Sequence, residues 1–273
     1  MTRILLLTFV VATSFMISGM AQPQKRRGIT SEDFIERRPK SKRTRPVNPR
    51  RYHQASPPLE KPLDKHSPNT LKVGVTLWKV ERVNSGPSAR EFARRVEVDT
   101  QFHEGDLLRL SIESAHEGYL YVIDRDWFTD GSSGETNLIF PLHGEDNQLK
   151  PGTLIDIPAE HDTPLKASPK ANQAGEMLTI IITSSPLSLR LSNKELPISN
   201  TQLAEWERMW SGSTERFEMN GGAGQSRTVV EQEAASRDGI RQLTRDDPTP
   251  QTIYFLTPRS GNGLFNLLLS YVR

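Results

Sequence analysis

An alternation of apolar and polar side chains, repeated from Leu71 onward, limits most strictly what this chain can fold into. In the run 106–114, positions 108, 110 and 112 are leucine or isoleucine, and Arg109, Ser111 and Glu113 alternate with them. A period of two places successive side chains on opposite faces of a β-strand. We therefore predict a β-rich domain over residues 71–273, with one face of each sheet buried.

Eight segments of this kind are separated by turn signals. They predict an all-β fold, an antiparallel β-sandwich with an immunoglobulin-like arrangement. The turn Ala115-His116-Glu117-Gly118 predicts that the second and third strands form a hairpin. The predicted strands are 72–80, 106–114, 118–124, 136–140, 153–157, 177–183, 251–256 and 264–272.

One segment of the C-terminal third has helical spacing instead. A capping-box sequence begins at Ser199, and Leu203, Trp206 and Trp210 follow at intervals that bring them to one face. We predict a helix over about 201–211 that either lies on the sandwich or covers a sheet edge, and a second short helix at 228–236. The four tryptophans, which also include Trp78 and Trp127, would either pack in the interior or line a glycan or peptide groove.

The amino terminus has the layout of a secretory signal peptide. A charged start at Arg3 is followed by an apolar run over residues 4–17, and Gly19 and Ala21 form a small-x-small cleavage site. We predict that residues 1–21 direct export to the periplasm or the extracellular space. The alternative is an uncleaved segment that anchors the chain in a membrane.

A basic, proline-rich leader is predicted between the signal and the domain. Residues 22–70 contain 13 Lys and Arg against 5 Asp and Glu, a net charge of +8, together with eight prolines. Residues 71–273 carry the opposite excess, a net charge of −7. A segment so poor in apolar residues cannot offset the entropy lost on ordering, and we predict that 22–70 is disordered.

The densest basic stretch of the leader has two interpretations. It is either a solvated spacer kept extended by its charge, or a site that binds anionic lipid headgroups or anionic wall polymers. Export argues against nucleic acid as the partner. The residues of this candidate site are Arg37, Arg38, Lys40, Lys42, Arg43, Arg45, Arg50 and Arg51.

Asp124, Asp126 and Asp130 are the candidate metal ligands, with Glu135 close behind in the sequence. Oxygen-rich loops suit hard cations, but two extra residues break the spacing of a calcium-binding EF-hand loop. The alternative is a polar connection turned by Asp130-Gly131. The chain has no cysteine, which excludes disulfides, cysteine zinc sites and thiol nucleophiles. We assign no catalytic residue and expect no cofactor.

Two long stretches carry a family resemblance. They are VEVDTQFHEGDLLRLSIESAHEGYLYVIDRDWFTDGSSGETNLIFP and DNQLKPGTLIDIPA, and the similarity continues through LAEWERMWSGSTERFEMNGGAGQS and LTRDDPTPQTIYFL. Over about residues 71–273 the chain resembles the bacterial domain of unknown function 4384 family. The resemblance implies a β-rich module in exported or envelope-associated bacterial proteins. It implies no activity and no active-site residue.

The sequence thus leads us to expect a non-catalytic interaction module of the bacterial cell envelope. Its partner would be another envelope protein, or an anionic polymer or lipid surface. Two alternatives remain. One is a divalent-metal-dependent hydrolase that uses Asp124, Asp126 and Asp130, and the other is a membrane-surface protein docked by its basic leader.

Overall fold

The computed structural model describes residues 34–40, 70–83, 90–227, 231 and 239–272. Two stacked β-sheets and one helix make up most of this part of the chain, so the prediction of an all-β sandwich is confirmed. The predicted signal peptide, residues 1–21, lies outside the described residues, as does all of the predicted helix 228–236 except Glu231. No helix among the described residues has the length and hydropathy needed to cross a membrane.

Sheet A has the strand order β12-β14-β1-β4-β8-β13, and all of its pairs are antiparallel. Two more strands join it at the side, β2 on β1 and β9 on β4. The strands are β1 (Leu71–Val83), β2 (Arg90–Val96), β4 (Leu107–Ser114), β8 (Thr153–Ile157), β9 (Leu165–Lys166), β12 (Ser213–Glu218), β13 (Ile240–Gln242) and β14 (Thr252–Thr257).

Sheet B has the strand order β11-β6-β5-β10-β15-β3, with β7 paired to β5. Its pairs are antiparallel except for β15 and β3, which run parallel. The strands are β3 (Gln101–Phe102), β5 (Gly118–Phe128), β6 (Ser133–Phe140), β7 (Gln148–Leu149), β10 (Gln173–Thr183), β11 (Leu196–Pro197) and β15 (Gly263–Tyr271).

The main core lies between the sheets and follows the predicted alternation. Leu108, Leu110 and Ile112 of β4 face Leu178 and other apolar residues of sheet B, and each is at most 2% exposed. Each fully buried leucine or isoleucine contributes about 1.5–3 kcal/mol to the free energy of unfolding. This core therefore sets which face of each strand points inward.

The predicted hairpin at residues 115–118 is wrong. β4 belongs to sheet A and β5 to sheet B, so the turn carries the chain from one sheet to the other. Ala115 N still donates to Lys72 O of β1, and Gly118 begins β5 so close to Thr183 O that a Cβ there would lie at 2.8 Å. The residue types of this turn are those of a hairpin. The chain nevertheless passes from sheet A to sheet B here, and the apolar side chains of β4 and β5 face the same core from opposite sheets.

Four strands of sheet A lie outside the predicted segments: β9 and β13, which have two and three residues, and β2 and β12, whose residues are largely charged. β2 has the sequence REFARRV and β12 the sequence STERFE. β12 is an edge strand, whereas β2 pairs with the C-terminal half of β1 on one side and makes an antiparallel bridge from Arg94 to Ser226 on the other. Edge strands commonly carry charge, so the apolar alternation is faint there.

The single described α-helix, α1 (Asn200–Trp210), matches the predicted segment to within one residue at each end. Ser199 caps it, with its Oγ accepting from Gln202 N at 3.1 Å. Leu203, Trp206 and Trp210 are buried against the outer face of sheet B. The capping box and the apolar spacing therefore predicted the helix and the face that it buries.

Candidate functional site

The candidate metal ligands Asp124 and Asp126 lie on β5 at one end of the sandwich. Register places Asp126 opposite Glu176 of β10. Asp126 accepts from Lys170 Nζ at 2.6 Å and from Gln173 Nε2 at 2.9 Å. Glu176 accepts from the Tyr271 hydroxyl. These contacts show an acidic cluster that is largely engaged with protein donors.

Asp124 is the member of this cluster with the most altered acidity. Burial raises the pKa of its carboxyl to about 7, and the charges of Glu176 and Asp126 act in the same direction. Burial likewise raises the pKa of Glu176. A carboxyl that titrates near pH 7 is suited to acid–base chemistry, but Asp124 lines neither the groove beside Trp127 nor the small cavity beside Trp78.

Asp130, the third candidate ligand, belongs to a separate turn. Its Oδ1 accepts from Ser132 N at 2.9 Å and from Ser132 Oγ at 2.6 Å, and the pKa of this exposed carboxyl is lowered by those hydrogen bonds. Gly131 follows with φ of 82°, as an Asp-Gly turn requires. Within the described ranges, no group of three His, Cys, Asp or Glu side chains is arranged to hold a metal ion. The hydrogen bonds of Asp130 and the backbone of Gly131 are those of a polar turn between β5 and β6.

A groove of about 550 Å³ opens on the outer face of sheet B, beside the short strand β3. Leu268 and Val272 are 36% and 39% exposed, which is high for large apolar side chains. The groove, here called the sheet B groove, is lined by Gln101, Trp127, Ala174, Leu268, Ser270, Tyr271 and Val272. Its size is in the range of ligand-binding clefts, and apolar patches of this kind mark interaction sites.

The outer face of sheet A is covered by a buried layer of charged side chains. Trp78 of β1 donates from Nε1 to Ser111 Oγ at 2.7 Å, and Ser111 in turn donates to Asp156 of β8. The guanidinium carbons of Arg95 and Arg227 lie 5.0 and 5.2 Å from the Trp78 ring centroid. Such cation–π contacts stabilise an arginine side chain that is buried away from water.

Carboxylates neutralise this layer. Arg227 donates to Asp156 Oδ2 at 2.6 Å and also pairs with Glu160. Burial acts to lower the pKa of Arg227, but these two carboxylates outweigh it and raise the pKa. Arg95 pairs with Glu231 at 3.3 Å. The layer leaves a cavity of only about 10 Å³, which is too small for an organic ligand.

Loops that follow the strands complete the cover. Arg109 of β4 is 3% exposed and donates to the carbonyl oxygens of Pro158, Ala159 and Asp162. Arginine suits this role because its planar guanidinium group offers five N–H donors and stays charged. The alternation predicts that Arg109, Ser111 and Glu113 lie on the face opposite the core, and the structure shows that this second face is buried too.

The expectation that residues 22–70 lack fixed structure is wrong for 34–40. Arg38, one of the candidate anion-binding residues, is only 2% exposed and pairs with Glu113 of β4, so it cannot reach an anionic surface. Arg37 and Lys40 are exposed. The other five candidates, Lys42, Arg43, Arg45, Arg50 and Arg51, lie outside the described residues.

The four tryptophans divide between the two predicted roles. Trp78, Trp206 and Trp210 are 1%, 6% and 8% exposed and serve packing. Trp206 and Trp210 stack on each other with ring centroids 5.6 Å apart. Trp127 alone lines the sheet B groove, so the prediction of a tryptophan-lined groove applies to this residue and not to the other three.

Comparison of the chain with protein-family models, with curated proteins and with solved structures gave no match. The resemblance to the domain of unknown function 4384 family therefore stays a prediction. Any function proposed for the chain rests on its sequence, its fold and the geometry of the described residues.

Proposed function

We propose that this protein is a non-catalytic, exported interaction module of the bacterial cell envelope that binds another envelope protein through the sheet B groove. The observation that carries the proposal is the pair of exposed apolar side chains, Leu268 and Val272, in a groove that also contains Trp127. Export is supported by the signal-peptide pattern of residues 1–21.

The chemistry of the groove favours an apolar segment of a protein partner. Tryptophan and tyrosine are enriched at the centres of protein interfaces, where their large rings bury area at low entropic cost. The partner segment would cover Leu268 and Val272 and stack on Trp127.

Site-specific cross-linking in cells tests this proposal. A photo-reactive amino acid at position 268 should give one discrete adduct, and adding Trp127→Ala should reduce its yield at least about tenfold, as expected for loss of an aromatic interface anchor. The matched control is the same photo-reactive residue at position 92, because Phe92 is 44% exposed on sheet A, away from the groove. The same adduct from both positions, or an adduct insensitive to Trp127→Ala, would contradict the proposal.

A further inference from the structure

Residues 34–40, here called the latch segment, dock on the domain although 29 residues of chain (41–69) separate them from Thr70. At its amino end Phe34 is 2% exposed. It belongs to a cluster that also contains Ala115, Met219, Ile253 and Phe255, on the outer side of sheet A. An aromatic side chain of the leader therefore fills an apolar pocket of the domain.

Four residues later, Arg38 makes the polar part of the contact. Its Nε donates to Glu113 Oε2 at 3.1 Å, and its Nη2 donates to Glu113 Oε1 at 2.5 Å. The same guanidinium donates to Asp247 O at 2.9 Å and to Pro248 O at 3.0 Å. Among the described residues Arg38 is the only side chain hydrogen-bonded to the Glu113 carboxylate, which is 1% exposed.

The domain also recognises the backbone of the latch segment. Arg245 donates from Nη2 to Glu36 O at 2.6 Å and from its backbone N to Pro39 O at 3.0 Å. Pro39 rests on Gly152, where a Cβ would come within 2.5 Å of the proline Cδ. Arg245 Nε also donates to Arg38 O at 3.2 Å. The groove under the latch segment therefore holds an aromatic side chain, an arginine, a proline and three backbone carbonyls.

None of these contacts is a strand pairing, and residues 34–40 belong to no strand. The segment is instead bound as a peptide ligand is bound, by pockets for spaced side chains. A tether of 29 residues makes such binding intramolecular at an effective concentration in the millimolar range. The entropic cost of closing the tether grows only slowly with its length.

We propose that the groove formed by the end of β4, the 244–248 loop and the Phe34 pocket is a peptide-binding site. Its ligand class is a segment with an aromatic residue followed four positions later by arginine and then proline. The latch segment occupies it as a tethered ligand and exchanges with the same sequence supplied by another molecule.

Exchange can be measured on the full chain after a single cut. A protease recognition sequence inserted between Ser56 and Pro57 allows the tether to be cleaved without removing any described residue. The cleaved leader should stay with the domain on gel filtration and should be displaced by an excess of a peptide covering residues 31–44. A cleaved leader that resists saturating peptide until the domain unfolds would overturn the proposal, because the segment would then be a fixed part of the core.

Specificity is tested with matched peptides. The wild-type and Arg37→Ala peptides should displace the cleaved leader equally, because Arg37 is exposed, whereas the Arg38→Ala peptide should be at least about tenfold weaker because it leaves the Glu113 carboxylate buried without its cation. Equal displacement by the Arg38→Ala peptide would overturn the assignment of this ligand class.

The second measurement is the affinity of the groove for added peptide when the latch segment no longer occupies it. The full chain with Phe34→Ala and Arg38→Ala should bind fluorescent 31–44 peptide at least about tenfold more tightly than the wild-type chain, whose own segment competes. A folded double variant that takes up no peptide would contradict the proposal. If the double variant does not fold, the cleaved wild-type chain still gives the decisive result.

Discussion

The central strands of sheet A present charged side chains to the loops that cover them, whereas sheet B presents apolar side chains to helix α1. On sheet A the cover is fixed by Arg109, Arg227 and Arg38, each paired with carboxylates or carbonyl oxygens. On sheet B, Trp206 and Trp210 pack on an apolar face. The central part of sheet A and the helix-covered part of sheet B are thus closed by opposite chemistry, and an apolar cluster around Phe34 lies beside the charged cover of sheet A.

The charged cover of sheet A and the apolar cover of sheet B differ in the kind of change that each can tolerate. Apolar packing has no directional requirement, so a helix can cover part of a face and leave the rest open as the sheet B groove. A buried charge needs its partner, and each loop over sheet A is therefore held at specific atoms. The polar cover should be sensitive to the loss of one group, and the apolar cover to the loss of volume.

The largest effect is expected from Asp156→Ala. It removes the carboxylate that pairs with Arg227 at 2.6 Å and should lower the free energy of unfolding by about 3–5 kcal/mol, because a buried cation loses the more buried of its two carboxylate partners and Ser111 loses its acceptor. Urea unfolding measures this loss. Asp99→Ala is the control, because Asp99 pairs with Arg216 at the surface and should cost less than about 1 kcal/mol. Similar losses for both variants would contradict the distinction between a buried and an exposed pair.

Trp206→Ala tests the apolar cover. Trp206 is 6% exposed on α1, and its truncation should cost about 3 kcal/mol through lost burial and the cavity that remains. Met209→Ala on the same helix serves as control, because Met209 is 40% exposed. Calorimetric melting of both variants should show a large shift only for Trp206→Ala. A loss from Met209→Ala of equal size would mean that α1 buries a different face.

A smaller effect is expected at the start of the same helix. Ser199→Ala removes the cap that accepts from Gln202 N and should cost about 1 kcal/mol. Thr201→Ala, one residue inside the helix, should leave stability unchanged or slightly increased, because alanine has the higher helix propensity. Chemical denaturation distinguishes the two, and equal effects would show that the cap makes no net contribution.

The smallest effect concerns His116, beside the cover of sheet A. Burial lowers its pKa, and the charges of Arg37 and Lys72 lower it further. Arg37→Ala should therefore raise the pKa of His116 by a few tenths of a unit, since one nearby cation is removed in a setting screened by solvent. NMR titration of the imidazole measures this, with Lys40→Ala as control. An unchanged pKa would show that Arg37 does not lie beside His116.

The sign of the pH dependence at His116 follows from that lowered pKa. The folded state favours the neutral imidazole more than the unfolded state does, so the unfolded state binds more protons below the ordinary pKa of 6.5. Its contribution to stability is therefore complete above pH 6.5 and declines as the pH falls below it. Arg37→Ala should make that decline shallower.

The strands and the helix could be predicted because their signals are local. Alternation at 106–114 and the spacing of Leu203, Trp206 and Trp210 are set by the inner core and by one helix face. The partner of a strand is not local information, and the turn at 115–118 was consequently interpreted as a hairpin. The charged strands β2 and β12 were missed because pairing, not apolar patterning, holds them.

The site residues could be predicted only in part. Trp127 was one of four candidates for a groove, and nothing in the sequence separates it from the buried Trp78. Arg109 and Glu113 alternate with leucines as surface residues do, and their burial depends on loops distant in the sequence. Phe34 is the signal that could have indicated the docked segment, because it is an aromatic residue four positions before Arg38 in a leader poor in apolar residues.

Because residues 34–40 dock on the domain, the folded unit includes residues upstream of Leu71. A recombinant fragment that begins at residue 71 would leave the buried Glu113 carboxylate without the guanidinium of Arg38, and would open the Phe34 pocket to solvent. Such a fragment should be less soluble and prone to self-association. Preparations intended for partner searches should therefore begin before Phe34, so that any surface they offer belongs to the intact protein.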